Sequence, residues 1–151
     1  MGHLFTVISP SDLSPKGRRE VEADYPGLRF PDEGRLASRR DIEAAFAMHL
    51  DWQVKLDQGK DWWTAFVRRS GQTASLRVDD YSGDPARGQR FHFDTGDAEL
   101  VVDIAAAVAE RCGPFLILDE SGGYVVLVNP DGSRMDVGKH PAGGSRPPTR
   151  T

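Results

Sequence analysis

The segment from residue 97 to residue 128 constrains the fold of this chain more than any other stretch. Its first part has an apolar side chain at every fourth position, which predicts one face of a helix: Leu100, Ile104, Val108 and Cys112. Asp97 and Glu99 lie in the first turn, where carboxylates favour the positive end of the helix dipole. Gly113-Pro114 predicts the end of the helix, because glycine accepts a left-handed backbone and proline cannot continue a helix.

Two apolar strands are expected after this helix. Phe115 to Leu118 is apolar at every position, which predicts an interior strand covered on both faces. Glu120 to Gly123 has the composition of a turn, and Tyr124 to Val128 is expected to return as the second strand of a hairpin. A second turn at residues 129–132 precedes a short edge strand at residues 133–137.

The amino-terminal part of the chain predicts one strand and two helices. The strand is expected at Leu4 to Ile8, and a helix follows from about Ser14 to Asp24. Ser38 begins another helix, because Asp41 stands three residues later in a variant of the capping box. The apolar face of that helix is expected to hold Ile42, Ala45, Phe46, His49 and Leu50.

The middle of the chain alternates apolar and polar residues in four stretches separated by short turns. These strands are expected near residues 52–56, 62–69, 74–78 and 90–94. Short turns favour antiparallel pairing. The sequence therefore predicts an α+β fold with a mainly antiparallel sheet: a four-strand meander, a helix and a carboxy-terminal hairpin, with two to three helices in total. Residues 1–138 are expected to form a single α+β domain, and residues 139–151 a disordered tail.

The amino-acid composition restricts the class of protein to which this chain can belong. The 151 residues are 38% hydrophobic and 28% charged, which is typical of a soluble globular domain. No apolar run approaches the roughly 20 residues that cross a bilayer, so no membrane association is expected. The single cysteine excludes an internal disulfide and favours a reducing, cytoplasmic location. We expect Cys112 to be a buried structural thiol, because it lies on the apolar face of its helix.

The net charge of −4 is distributed unevenly. Residues 1–78 have twelve basic and eleven acidic side chains, whereas residues 79–138 have four basic and twelve acidic side chains, a net charge of −8. An acidic half argues against binding to nucleic acid and favours a basic protein partner. The alternative is an acidic surface that serves solubility alone.

His92 and Asp94 are the residues that most favour a catalytic or ligand-binding site. They are two positions apart on a predicted strand, so their side chains share one face. Asp94-Thr95-Gly96 also resembles the signature of aspartic proteases, but a strand end followed by a helix cap explains the same residues. No second histidine lies nearby in the sequence, and we expect no metal site, no cofactor and no catalytic residue.

A binding surface is predicted instead from tryptophan and acidic residues. Adjacent Trp62 and Trp63 must face opposite sides of their strand, and an exposed tryptophan is a common anchor at protein interfaces. Two acidic pairs are expected in loops at strand ends. The predicted partner-binding residues are Trp62, Trp63, Asp79, Asp80, Asp119 and Glu120.

The segment from Asp97 to Val128, with its helix ending Arg-Cys-Gly-Pro before a hairpin, resembles the immunity proteins encoded beside bacterial polymorphic toxins. The resemblance implies a small acidic protein of the bacterial cytoplasm that binds and neutralises one cognate toxin, expected to be a basic domain. An alternative is a small enzyme or ligand-binding domain with a pocket near His92 and Asp94. A structural or adaptor subunit is a third possibility.

Overall fold

The computed structural model of the protein describes residues 4–25, 27–80, 82–120 and 125–138. These residues form eight strands and three α-helices, which confirms the α+β fold with a mainly antiparallel sheet. The strands are β1 (Phe5–Ile8), β2 (Gln53–Gln58), β3 (Trp62–Arg69), β4 (Gln72–Asp79), β5 (His92–Gly96), β6 (Phe115–Asp119), β7 (Val125–Val128) and β8 (Arg134–Gly138). The helices are α1 (Pro15–Asp24), α2 (Arg39–Ala47) and α3 (Ala98–Cys112), and a short 3-10 helix spans Pro10–Asp12.

The element boundaries agree with the predicted ones to within two residues, apart from the end of α2. The predicted tail at residues 139–151 and most of the predicted turn at residues 120–123 lie outside the described residues. Within the described ranges, no helix has the length and apolar character that a membrane span requires.

All eight strands belong to one sheet with the order β2-β3-β4-β5-β1-β6-β7-β8, and every neighbouring pair is antiparallel. Phe5 of β1 lies opposite Phe93 of β5 on one side and opposite Asp119 of β6 on the other. The amino-terminal strand therefore joins the meander and the hairpin into a single sheet. The strand itself is predictable from the sequence, whereas its position between β5 and β6 is not.

Helix α3 packs on one side of the sheet, which we call the inner face. Ten of its 15 residues are buried, including Ile104 and Val108, because it contacts strands β4 to β7 and also α2. Burial raises the pKa of Cys112 to about 12, so its thiol stays protonated at neutral pH. The prediction that Cys112 is buried is confirmed.

The opposite side of the sheet, the outer face, is covered over one half. After α1, the chain packs Tyr25, Leu28 and Phe30 against this half. The buried strand residues beneath them are Leu116, Leu118, Val125 and Leu127 of β6 and β7. Apolar side chains on both faces of β6 explain why this strand reads as continuously hydrophobic.

Helix α2 ends earlier than predicted. It stops at Ala47, after which the backbone N–H groups of residues 48, 49 and 52 each donate to the carbonyl three residues earlier. These tight turns redirect the chain into β2. His49 consequently stacks on Trp52, with ring centroids 3.9 Å apart, and Leu50 is 95% exposed. Their predicted places on the apolar face of α2 are therefore wrong.

Asp41 connects the start of α2 with the end of α3. Its buried carboxylate accepts hydrogen bonds from the backbone and hydroxyl of Ser38, which completes the predicted capping box. Arg35 binds the same carboxylate with two nitrogens, one at 2.8 Å. The backbone N–H of Arg35 donates to the backbone carbonyl of Cys112 at 2.7 Å. The guanidinium of Arg35 donates to the backbone carbonyl of Arg111 at 3.2 Å. The hydrogen bonds from Arg35 hold the pKa of Asp41 well below its usual range.

We expect Asp41 to make folding sensitive to acid. Its folded-state pKa lies below the unfolded value of about 3.9, so its contribution to stability is present above that pH and is lost as the pH falls. Asp41→Asn should lower the free energy of unfolding at pH 7 by about 2 kcal/mol, because the cap and the ion pair are both weakened. It should also flatten the decline of stability below about pH 5.

Urea denaturation of the wild type and of Asp41→Asn between neutral and acidic pH would measure both effects. Exposed Asp51→Asn is the matched control and should follow the wild type. An Asp41→Asn variant with an unchanged dependence of stability on pH would contradict the assigned role of this carboxylate.

Candidate functional site

The outer face of strands β2 to β5 is open to solvent, and we call it the open face. The cross-strand register aligns Asp57, Thr64, Arg77 and His92 in one row across these four strands. The other outward side chains belong to Gln53, Lys55, Trp62, Phe66, Arg68, Thr73, Ser75, Asp79, Asp94 and Thr95. None of these side chains is buried, because the segment that covers β6 and β7 does not extend past β1.

Trp62 is a half-buried aromatic side chain on the open face. The guanidinium of Arg77 lies 5.4 Å from its ring centroid, a distance typical of a cation–π contact. Gly59, in the turn between β2 and β3, lies against the same ring, and a Cβ there would be 2.3 Å from the indole nitrogen. Trp63 points to the inner face and is 3% exposed. The prediction that the two tryptophans face opposite sides is confirmed.

A cleft of about 380 Å³ begins beside Trp62, at the end of the sheet formed by the β2–β3 turn. Arg39 of α2 forms one wall, and Lys60 and Pro85 lie on the others. Arg39 is held in place by Glu43 at 2.8 Å and by Gln58 at 2.7 Å. The cleft therefore combines an aromatic wall with charged side chains of both signs, because Glu43 and Asp80 also line it.

A second cleft, of about 540 Å³, lies beside His92. The Nε2 atom of His92 is 2.8 Å from a carboxylate oxygen of Asp94, so the two residues predicted to share a face do so. Thr6 of β1 lies directly opposite His92 and donates its hydroxyl proton to Glu120. Arg90 also lines this cleft. A histidine oriented by a carboxylate can accept a proton, which keeps the enzymatic alternative open.

Metal binding finds no support in the part of the chain that the structure describes. No group of three or more histidine, cysteine, aspartate or glutamate side chains in these ranges is arranged to hold an ion. Among the described residues, His92 and Asp94 therefore form a pair and not a group of three.

Asp79 and Asp80 have different environments although they are adjacent. Asp79 is exposed on the open face and binds Arg77 at 3.1 Å. Asp80 is 9% exposed and accepts hydrogen bonds from Ser82 and Gln89. The hydrogen bond from the Ser82 hydroxyl lowers the pKa of Asp80. The expectation of an exposed loop carboxylate is wrong for Asp80, because it organises the loop that follows β4.

Asp119 and Glu120 also differ in their exposure to solvent. Asp119 is the last residue of β6 and is 5% exposed, since it faces the inner side opposite Phe5 of β1. Glu120 is exposed and donates its backbone N–H to Leu4 at 3.0 Å. Asp119 is therefore not a surface charge, because the strand that contains it extends one residue further than predicted.

The acidic half of the sequence is partly neutralised in three dimensions. Arg69 of β3 binds Asp103 of α3 and lies 3.5 Å from Glu99. Arg134 binds the second carboxylate oxygen of Asp103. Burial favours the protonated form of Asp103, but these arginines lower its pKa overall. Arg69, from the first half of the chain, thus neutralises part of the acidic charge of residues 79–138.

Phe66 and Arg77 of the open face are not among the binding residues predicted from the sequence. The alternation of β3 and β4 was visible, but it does not reveal which face of a strand lacks a covering layer. Comparison of the chain with models of known protein families, with curated proteins and with solved structures gave no match in any of the three searches.

We expect Gly59 to position Trp62. Gly59→Ala should displace the indole ring, because the added methyl group would overlap it. In ¹H–¹⁵N spectra the indole N–H resonance of Trp62 should move, while those of Trp52 and Trp63 should stay near their wild-type positions. Lys60→Ala in the same turn is the matched control. Equal movement in both variants, or none in Gly59→Ala, would contradict this contact.

Proposed function

We propose that the chain is a protein-binding module whose binding surface is the open face, with Trp62 and Phe66 as apolar anchors. The observation that carries this proposal is the uneven covering of one sheet: β6 and β7 are buried on both sides, whereas no outward side chain of β2 to β5 is buried. In its specific form, the protein is an immunity protein of the bacterial cytoplasm that binds and neutralises a cognate toxin.

The composition of the open face supports a protein partner. Phe66 is 39% exposed, and Lys55 lies opposite it on the neighbouring strand. Aromatic side chains surrounded by charged and hydroxyl-bearing residues are typical of interface centres, where they lose water on binding. The surrounding charges of both signs, such as Arg68 and Asp79, would select a partner with a complementary pattern.

The identity of the partner as a basic toxin rests on two further observations. Exposed carboxylates lie on the open face and at its β1 border: Asp79 ends β4, Asp94 belongs to β5, and Glu120 contacts Thr6 of β1. The segment from Asp97 to Val128 resembles polymorphic-toxin immunity proteins, which implies inhibition by direct binding. The proposal requires no cofactor, no metal and no catalytic residue of this chain.

A second candidate function is a small enzyme or ligand-binding domain. The hydrogen bond between His92 and Asp94 beside the 540 Å³ cleft favours it. In that case His92 would accept a proton from a bound small molecule, and the side chain of Arg87 would attract an anionic group.

Truncation of the aromatic anchors tests the proposed surface. Trp62→Ala and Phe66→Ala should each weaken binding of the cognate toxin by about 2 kcal/mol and abolish protection of cells that express it. Met135→Ala is the matched control, because Met135 of β8 is exposed to a similar degree far from the open face. Binding would be measured by calorimetry, and protection by growth under toxin expression.

Two results would overturn this proposal. One is a toxin that binds both anchor variants as tightly as the wild type. The other is turnover of a small molecule that is lost in His92→Ala and retained in Trp62→Ala, which would establish the second candidate function.

Charge reversal tests the basic character of the partner. Asp79→Lys combined with Glu120→Lys should slow association with the toxin at low salt, because both carboxylates are exposed and would steer a basic surface. The difference from the wild type should shrink as the screening length falls towards about 8 Å at physiological ionic strength. Stopped-flow association rates of the wild type and the variant over a salt series would measure this difference. An association rate that depends on neither salt nor charge reversal would contradict the proposal that the partner is basic.

A further inference from the structure

Strand β2 lies at one end of the sheet, and β3 is its hydrogen-bonded neighbour among the described strands. Five of its six residues are exposed, so its outer backbone groups form an open edge. Such an edge attracts another strand unless the protein blocks it. Lys55 lies near the centre of β2, and a lysine at an edge strand often prevents pairing with another strand. Here, however, Asp57 lies two residues away on the same face.

We propose that the chain forms a two-fold symmetric dimer in which β2 pairs antiparallel with β2 of a second copy. Lys55 then lies opposite Asp57 of the second copy, and Leu56 lies on the two-fold axis. This inference is independent of the proposed function, since it concerns the edge of the sheet and needs no toxin.

The register follows from the charges. Directly opposite residues of an antiparallel pair point to the same face, and their side chains interact. With Leu56 on the axis, two symmetry-related pairs join Lys55 of one copy with Asp57 of the other. Within β2, Val54 lies opposite Gln58 in this register, and no like charges oppose each other.

The two neighbouring registers are disfavoured. An axis at Lys55 places two lysines opposite each other, and an axis at Asp57 places two aspartates opposite each other. Like charges directly across a strand pair are destabilising. The order Lys-Leu-Asp at the middle of an exposed edge is therefore complementary to itself in a single symmetric register, as an isologous interface requires.

Apolar side chains at this edge support burial by a second copy. Leu56 is 41% exposed and would meet its symmetry mate on the axis. Met48 and Leu50, in the connection that precedes β2, are 80% and 95% exposed. Antiparallel pairing places this connection beside the β2–β3 turn of the second copy, so their apolar surface would lose contact with water.

Charge reversal and its rescue test the dimer. Sedimentation velocity of the full chain should show a dimer that dissociates on dilution from about 100 µM to about 1 µM. Lys55→Asp and Asp57→Lys should each weaken dimerisation more than about tenfold, because each creates two like-charged pairs. The double variant should restore it, since Asp at position 55 then faces Lys at position 57. Arg68→Asp, on the open face but one strand inward, is the matched control and should dimerise like the wild type.

A cysteine on the axis provides an independent measurement. Leu56→Cys should form a disulfide-linked dimer under mild oxidation, because residues directly opposite in a strand pair lie within disulfide range. Val54→Cys should not, because it faces Gln58, and native Cys112 is buried. A chain that stays monomeric at all concentrations, or a double variant as weak as the single ones, would overturn the proposal. Either result would leave the toxin-binding experiments on Trp62 and Phe66 unaffected.

Discussion

The pairing of β1 with both β5 and β6 is the constraint on which the rest of this structure depends. β1 has four residues, yet it converts a four-strand meander and a carboxy-terminal hairpin into one eight-stranded sheet. It also marks the boundary between the two halves of the outer face. On the β6 side, the segment after α1 covers the strands, and on the β5 side the side chains remain open to water. The candidate site is thus a consequence of where β1 inserts.

Much of the fold was predictable because its signals are local. Helix α3 is apolar at every fourth position and ends at Gly113, and the capping box of Ser38 and Asp41 marks the start of α2. The partners of β1 were not predictable, since strand pairing between residues 5 and 119 leaves no periodic trace in the sequence. The end of α2 was predicted wrongly because the apolar periodicity continues to Leu50, although the helix has already ended in a turn.

The candidate site was predictable only in part. Opposite orientation of Trp62 and Trp63 follows from strand geometry, and so does the shared face of His92 and Asp94. Burial of Asp80 and Asp119 could not be read from their positions at strand ends, because it depends on hydrogen bonds within a loop and on the place of β6 in the sheet. The acidic character of residues 79–138 was also diluted, since Arg69 binds carboxylates from the distant helix α3.

An open sheet face must be compatible with water as well as with a partner. Most outward side chains of β2 to β5 are charged or hydroxyl-bearing, so leaving them uncovered costs little. Arg77 covers part of the Trp62 ring and thereby reduces the apolar area that the free protein exposes. A partner that displaces water from Trp62 and Phe66 gains their remaining apolar surface without disturbing the core, because the inward neighbours Trp63 and Ala65 belong to the buried cluster on the inner face. The same alternation therefore stabilises the domain on one side and leaves a binding surface on the other.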